Sequence, residues 1–140
     1  MLKPEYLLAL ALLGAAPAYA PIEVAVSGVK VAEGNVHVDI CPERQFLTSD
    51  CDMWAMAPAR IGTTIVIIRD VPPGRYAAQA FHDRNGNGKV DRNFLGIPKE
   101  GVGFSNDAPT PMRAPHFADA MFVHGSEPQH IAFTLRHFLG

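Results

Sequence analysis

The sequence lacks the signatures of several common functional classes. Its 12 Lys and Arg nearly balance its 14 Asp and Glu, so the 140 residues carry a formal net charge of −2, and the charges are scattered. Without a Lys/Arg cluster, the chain offers no electrostatic footprint for nucleic acid and no polybasic segment for an anionic membrane surface. It also has no Gly-x-Ser-x-Gly elbow, no phosphate-binding P-loop and no motif around a Cys nucleophile. These absences favour a binding module over an enzyme and leave the enzyme as an alternative.

Long apolar runs are scarce as well. Residues 6–13 form a short apolar stretch that follows Lys3 and precedes a run of small residues, which is typical of a secretory signal peptide. The stretch is well below the roughly 20 residues that span a bilayer. We therefore expect residues 1–20 to be a signal peptide, cleaved after Ala18 or Ala20. Residues 21–140 would then form one periplasmic or secreted domain with no stable membrane insertion.

Cysteine is limited to Cys41 and Cys51. In an oxidising compartment two nearby cysteines usually pair. The alternatives are two free thiols or half of a metal site, and a thiolate zinc site would need more cysteines or a matched pair of histidines. We predict a structural disulfide that closes a loop of about ten residues and stabilises the fold by about 3 kcal/mol on the chain-entropy account.

Glycine and proline are abundant, with 12 of each. Combined with short apolar runs, they favour an all-β domain with many turns. The pattern predicts an antiparallel β-sandwich of six to seven strands, immunoglobulin-like or prealbumin-like, with one long Gly/Pro-rich loop. The strand candidates are residues 22–31, 36–40, 63–71, 75–82, 118–123 and 129–138. The last of them is expected to pair with an early strand.

Four local features refine this prediction. Gly28 marks a bulge, because the apolar parity changes after it. Residues 33–35 read as a hairpin turn, and residues 52–60 as a short helical turn or lining segment. Residues 75–82 carry small side chains on both faces, which indicates a closely packed central strand.

The most distinctive stretch is a loop of oxygen-bearing residues, called here the 83–91 loop. Its groups fall at positions 1, 3, 5, 7 and 9 of a calcium loop and are the side chains of Asp83, Asn85, Asn87 and Asp91 with the carbonyl of Lys89. Gly88 takes the sharp-turn position, but Phe94 stands at position 12, where an EF-hand places a bidentate Glu. The loop therefore predicts weak Ca²⁺ binding, on the order of 10⁻⁴ to 10⁻³ M, with Glu100, Asp107 or Asp119 as a possible extra ligand. The alternative is a metal-free turn, since Asn-Gly pairs tolerate positive φ.

Residues 83–117 form a long segment whose apolar residues argue against disorder. It is expected either to pack as a structural lid or to present a ligand or partner surface. The residues assigned to that surface are His82, Glu100, Phe104, Asn106, Phe117 and Asp119. The enzyme alternative would be a small metal-dependent or hydrolase-like enzyme that uses His82, Asp83 and Glu100.

Four stretches carry a resemblance to a known family: residues 71–77 (VPPGRYA), 82–89 (HDRNGNGK), 93–106 (NFLGIPKEGVGFSN) and 115–120 (PHFADA). Together they resemble an uncharacterised family of exported bacterial proteins, domain of unknown function 2141. The resemblance implies a secreted or periplasmic β-sandwich and brings no activity or catalytic residue. The expected function is a non-enzymatic module of the cell envelope that binds an unknown protein or ligand, and that calcium would stabilise if the 83–91 loop binds an ion and is not a metal-free turn.

Overall fold

The computed structural model describes residues 18–92, 95, 97–110 and 113–138, so most of the expected signal peptide lies outside the described residues. In the described part, eight strands form a β-sandwich, together with one short α-helix, α1 (Phe117–Ala120), and two 3-10 turns at Glu43–Gln45 and Ser105–Asp107. The strands are β1 (Ile22–Val29), β2 (Asn35–Cys41), β3 (Met53–Pro58), β4 (Gly62–Ile68), β5 (Gly74–Asp83), β6 (Val102–Phe104), β7 (Met121–His124) and β8 (Gln129–Thr134). The all-β prediction is confirmed, with eight strands instead of six to seven. No helix in the described ranges has the length and apolar character needed to cross a membrane.

The strands divide into a smaller and a larger sheet. The smaller sheet has the order β4-β1-β8, and the larger has the order β3-β2-β5-β6, with β7 also paired to β5. The closing strand β8 pairs with the first strand β1, as the sequence predicts. That pair is parallel, whereas the other strand pairs of the described residues are antiparallel, as an antiparallel sandwich predicts.

Alternating apolar residues of β1 and β2 build the core between the sheets. One side of each strand is fully buried, and the residues concerned are Ile22, Val24, Val26, Val36, Val38 and Ile40. Burial of each such side chain stabilises the fold by about 1.5–3 kcal/mol. Because a strand alternates its faces, the residues between them point away from the core. On β2 those outward residues are His37 and Asp39, as the sequence predicts.

Gly28 interrupts β1 as expected. Its φ is +79°, and the register of β1 against β4 shifts between Val26 and Val29. A Cβ at this position would lie 2.9 Å from the carbonyl oxygen of Leu135, so positive φ and close backbone approach both require glycine. The predicted bulge is confirmed.

Two local predictions are wrong. Residues 33–35 turn the chain, with Gly34 at φ +66°, but they do not close a hairpin. They carry the chain between sheets, because β1 pairs with β4 and β8 while β2 pairs with β3 and β5. The residues of a turn determine the local direction of the chain, but they do not determine which strands pair with each other.

Of the two alternatives predicted for residues 52–60, the helical turn is wrong, because Met53–Pro58 form the edge strand β3. Met53, Ala55 and Ala57 are half-buried against the core, whereas Trp54 and Met56 are exposed. This alternation with period two outweighs the weak β-propensity of alanine and methionine. Pro58 ends the strand at the edge of the sheet, where a missing N–H is tolerated.

The long segment packs over the outer face of the larger sheet, beginning from the central strand β5. Ala77, Ala78 and Ala80 of β5 are buried, which confirms the close packing predicted for this strand. Ser105, which follows β6, accepts a hydrogen bond from the Ala78 N–H (2.9 Å) and donates one to the carbonyl of Ala120 (2.5 Å). Because this hydroxyl is buried between two backbones, it fastens the segment to β5.

Candidate functional site

The outer face of the larger sheet carries a row of stacked rings. Cross-strand pairing places His37 of β2 beside Phe81 of β5, and Asp39 beside Trp54 of β3. The His37 ring stacks on both Trp54 and Phe81, with its centroid 5.1 Å from each. Its Nε2 is hydrogen-bonded to Oδ1 of Asp39 at 2.9 Å, which fixes the orientation of the imidazole. Trp54 is nevertheless 52 % exposed, so the row ends in a flat apolar surface that is open to solvent.

This row is the floor of a groove with a volume of about 770 Å³. The size falls within the range of small-molecule sites, about 300–1,000 Å³. One wall is built from residues 47–51, called here the disulfide wall. The other comes from the described residues between 88 and 98 of the long segment, called here the polar wall.

The disulfide wall is fixed to the floor by a covalent bond and by one side chain. Cys41 and Cys51 are bonded, with their Cα atoms 5.4 Å apart, so the predicted disulfide is confirmed. Gln79 of β5 accepts a hydrogen bond from the Leu47 N–H at 2.8 Å. Its amide nitrogen donates to the carbonyl of Thr48 at 3.0 Å and to Oδ2 of Asp39 at 2.9 Å. Two of these three hydrogen bonds hold the wall, and the third ties the Gln79 amide to Asp39 of β2.

The polar wall starts from the 83–91 loop, which closes on its own carboxylates. Asp83 is 3 % exposed and accepts hydrogen bonds from the N–H groups of Asn87 (3.2 Å) and Gly88 (2.8 Å). The amide nitrogens of Asn85 and Asn87 each donate to Asp91 at 2.8 Å. The side-chain oxygen of Asn85 accepts the N–H of Asn87 (3.2 Å), and the side-chain oxygen of Asn87 accepts the N–H of Lys89 (3.1 Å). The loop is thus an ordered turn.

Glu100 joins this loop from the returning chain. It is 7 % exposed, and its Oε2 has no hydrogen-bond partner. Burial raises the pKa of Glu100 to about 8, and its hydrogen bond to Asp91 and the charges of Asp91 and Asp83 act in the same direction. Hydrogen bonds from Asn87, Glu100 and Asn85 hold the pKa of Asp91 below its usual value. Three carboxyl groups therefore share one small region and interact through their charges.

The residues proposed for enzymatic chemistry do not converge. His82 and Asp83 are consecutive on β5, so their side chains leave opposite faces of the strand. His82 is 1 % exposed, and its Nε2 lies 2.6 Å from the carbonyl oxygen of Glu33. None of His82, Asp83 and Glu100 lines the groove. All three side chains are buried, so the groove does not present them to a ligand.

The other residues predicted for a ligand or partner surface are spread along the long segment. Phe104 lines the groove, and it also makes an edge-to-face contact with Phe46, as does Phe117. The amide nitrogen of Asn106 donates to the carbonyl of Met121 at 3.0 Å. Asp119 accepts the N–H of His116 at 3.2 Å and caps α1. The structure therefore brings Phe104 to the groove and gives Asn106 and Asp119 contacts within the segment.

Sequence analysis missed the aromatic floor. The signal was present in two places: alternation in β2 predicts that His37 points outward, and the Met-Trp-Ala-Met-Ala order of residues 53–57 has period two. Of the two alternatives for residues 52–60, the lining segment agrees with the position of Trp54 in the groove, whereas the helical turn would take Trp54 off any sheet face. Trp54 and His37 come into ring contact only because β3 pairs with β2, and neither strand alone reveals that pairing.

One further grouping of ligand-type side chains occurs in the described part of the chain, at Asp39, Cys41 and Cys51. Both sulfurs are used in the disulfide, so this grouping offers only one carboxylate to an ion. It is therefore the disulfide with one neighbouring carboxylate and not a metal centre.

Searches of the curated proteins and of the solved structures found no match. Residues 24–132 match a family described as uncharacterised protein conserved in bacteria, domain of unknown function 2141. The matched range runs from β1 into β8 and so includes both sheets, the groove floor and the 83–91 loop. The chain therefore belongs to this uncharacterised bacterial family, domain of unknown function 2141.

Proposed function

We propose that this protein is a non-enzymatic binding module of the bacterial cell envelope, and that it holds a small ligand in the groove over the larger sheet. The observation that carries the proposal is the exposed Trp54, which is stacked in a rigid row at the base of a concave surface. Burial of a large aromatic side chain contributes strongly to folding. An indole left half-exposed in a groove is instead available to a ligand.

The geometry favours a flat apolar group on the floor. The rings of His37 and Phe81 support Trp54 in nearly parallel orientation, with interplanar angles of 11° and 26° along the row. Because the row is already ordered, a ring-shaped ligand would stack on it without an entropic cost for arranging the side chains. Stacking on such a platform tolerates many ring chemistries, since it depends on the face of the ring.

The charges around the groove favour a ligand with an anionic group. Lys89, Arg92 and Arg113 line it, whereas the acidic residue among the described lining residues is Asp39. The Asp39 carboxylate already accepts hydrogen bonds from His37 and Gln79. The local potential is therefore positive although the whole chain is slightly acidic.

A dye with fused rings and a sulfonate group tests this proposal. We expect 8-anilinonaphthalene-1-sulfonate to bind the native protein and to quench the fluorescence of Trp54, which is the single tryptophan of the chain. Because a stacking partner contributes about 1–3 kcal/mol, Trp54→Phe should weaken binding modestly and Trp54→Ala by about tenfold.

The matched control is Ile65→Ala. Ile65 is an exposed apolar residue on β4, which belongs to the opposite sheet. Its removal should leave dye binding unchanged. Equal losses in Trp54→Ala and Ile65→Ala, or no saturable binding to the native protein, would show that the groove is not the site.

Export to the periplasm or outside the cell is part of the same proposal, and the contacts next to the expected cleavage points support the cut after Ala18. The Tyr19 N–H donates to Asp70 at 3.1 Å, and the Ala20 carbonyl lies 3.0 Å from Nε2 of the buried His124. Cleavage after Ala20 would remove these partners and leave a buried ring nitrogen without one, which is costly. Intact-mass analysis of protein released from the periplasm should give a chain that starts at Tyr19. Full-length protein retained in the cytoplasm would contradict export.

A further inference from the structure

We propose that Glu100 completes a calcium site in the 83–91 loop by supplying the third carboxylate of the site. The other ligands would be the side chains of Asp83, Asn85, Asn87 and Asp91 and the carbonyl of Lys89. This proposal concerns the loop itself and does not depend on a ligand in the groove. It answers the main objection to a calcium loop in this sequence, which is the apolar residue at position 12.

Backbone pairing places Glu100 beside both ends of the loop. The Lys99 N–H donates to the carbonyl of Asp91 at 2.7 Å, and the His82 N–H donates to the carbonyl of Gly101 at 3.0 Å. Glu100 lies between these two bonds. It therefore faces the first and the last acidic residue of the loop, Asp83 and Asp91, although it is far from position 12 in sequence. The chain reaches this position after a short return, at which Arg92 and Pro98 pair as an isolated bridge.

The second observation is the buried oxygen of Glu100. Oε2 is the one buried side-chain polar atom in the described residues that has no hydrogen-bond partner. Leaving a buried acceptor unsatisfied costs roughly 1–3 kcal/mol, and placing it next to two other carboxyl groups adds repulsion. A bound divalent cation would satisfy this oxygen and neutralise the repulsion at the same time.

The donor set fits Ca²⁺ better than Mg²⁺. Three carboxylates, two amide oxygens and one carbonyl give six or more oxygens, which is what Ca²⁺ takes, whereas Mg²⁺ prefers a rigid octahedron that retains waters. The oxygens of Asp83, Asp91 and Glu100 are not all within 4.8 Å of one another. The amide nitrogens of Asn85 and Asn87 donate hydrogen bonds to Asp91, and these bonds stabilise its carboxylate where an ion would otherwise do so. Rotation of these amides would turn their oxygens towards an ion.

Calorimetric titration of the purified protein with CaCl₂, after treatment with a chelator, tests the site. We expect one site per chain with a Kd on the order of 10⁻⁴ M and a midpoint of thermal unfolding that rises by several degrees in millimolar calcium. MgCl₂ should bind more weakly. Glu100→Gln should weaken Ca²⁺ about tenfold or more, because charge count sets affinity in such loops. Its midpoint without calcium should not fall, because the amide can still donate to Asp91.

Glu127→Gln is the matched control, since Glu127 is an exposed residue in the turn between β7 and β8. It should bind Ca²⁺ as the unmodified protein does. Asp91→Asn is a second variant if Glu100→Gln fails to fold, and it should lose affinity in the same way. No heat with the unmodified protein, equal affinity for Mg²⁺, or unchanged calcium affinity in both Glu100→Gln and Asp91→Asn would each overturn the proposal.

Discussion

The two walls of the groove are held in place by different chemistry. The disulfide wall depends on the bond between Cys41 and Cys51, with the Gln79 amide as its polar support. The polar wall depends on hydrogen bonds to two carboxylates, Asp83 and Asp91, with the buried Glu100 beside them. A covalent bond keeps its geometry at any pH and ionic composition. A cluster of carboxyl groups changes its charge with both.

The comparison teaches that one groove can combine a constant side with a responsive side. The stacked floor between the walls belongs to the larger sheet. Thr48 lines the groove on the disulfide wall and Lys89 on the polar wall. The position of each residue therefore depends on the interactions that hold its own wall. Breaking each wall separately therefore has distinct consequences.

Removal of the disulfide is expected to give the largest effect. Cys41→Ala combined with Cys51→Ala should lower the free energy of unfolding by about 3 kcal/mol, because the unfolded chain regains the entropy of a loop of about ten residues. Urea denaturation of the oxidised parent and the double variant measures the difference. Unmodified protein treated with a reductant should behave like the double variant. A loss below about 1 kcal/mol would mean that Gln79 and the packing around Phe46 hold this wall without the bond.

Removal of the Asp83 carboxylate should lower the free energy of unfolding by somewhat less than removal of the disulfide. Asp83→Ala eliminates two charge-assisted hydrogen bonds to the backbone, for which we expect a loss of about 2 kcal/mol in the absence of calcium. Asp50→Ala, at an exposed position on the disulfide wall, is the matched control and should change stability by less than about 0.5 kcal/mol. If the two variants are equally stable in urea, the polar wall is not held by Asp83.

The third prediction concerns pH and changes the smallest group, a single proton. Because the pKa of Glu100 is raised from 4.5 to about 8, the folded state keeps a proton that the unfolded state releases. When calcium is removed with a chelator, the contribution of Glu100 to the free energy of unfolding should therefore be greatest below about pH 4.5. This contribution should decline as the pH rises from about 4.5 to 8. Asp91, whose pKa is lowered, acts at lower pH and in the opposite sense. The groups that face Glu100 are Asp91, Asp83 and Arg84.

Comparison with Glu100→Gln isolates this contribution from the other titrating groups. The difference in unfolding midpoint between the two proteins should widen between pH 5 and 8, in favour of the variant. A constant difference across that range would show that Glu100 is already ionised in the folded state. The disulfide wall should contribute no pH dependence in either protein.

Much of the fold follows from local pattern. The alternation of Val36, Val38 and Ile40 and the alanines of β5 predict buried strands, and the shift of parity at Gly28 predicts a bulge, because each depends on neighbouring residues alone. Strand partnership does not follow in this way. Residues 33–35 have the chemistry of a hairpin turn, yet their strands belong to different sheets, since the partner of a strand is decided by packing across the whole domain.

The candidate site divides along the same line. The 83–91 loop and the disulfide are visible in sequence because their members are close along the chain. The floor formed by His37, Trp54 and Phe81 comes from three strands and appears only after pairing. The sequence predicts Glu100 as an additional ligand. Its burial, and the lack of a hydrogen-bond partner at its Oε2, depend on how the long segment returns past the bridge between Arg92 and Pro98.

The parallel pair of β1 and β8 also has a consequence for when this protein can fold. Ile22 lies opposite Gln129, so the smaller sheet joins nearly the two ends of the described chain. Contacts between such distant residues form slowly, because a long loop must close before they are made. During synthesis β1 can pair with β4, but its other edge has to wait until β8, the last strand, leaves the ribosome. Until then the smaller sheet lacks one of its three strands, and one edge of β1 has no partner strand.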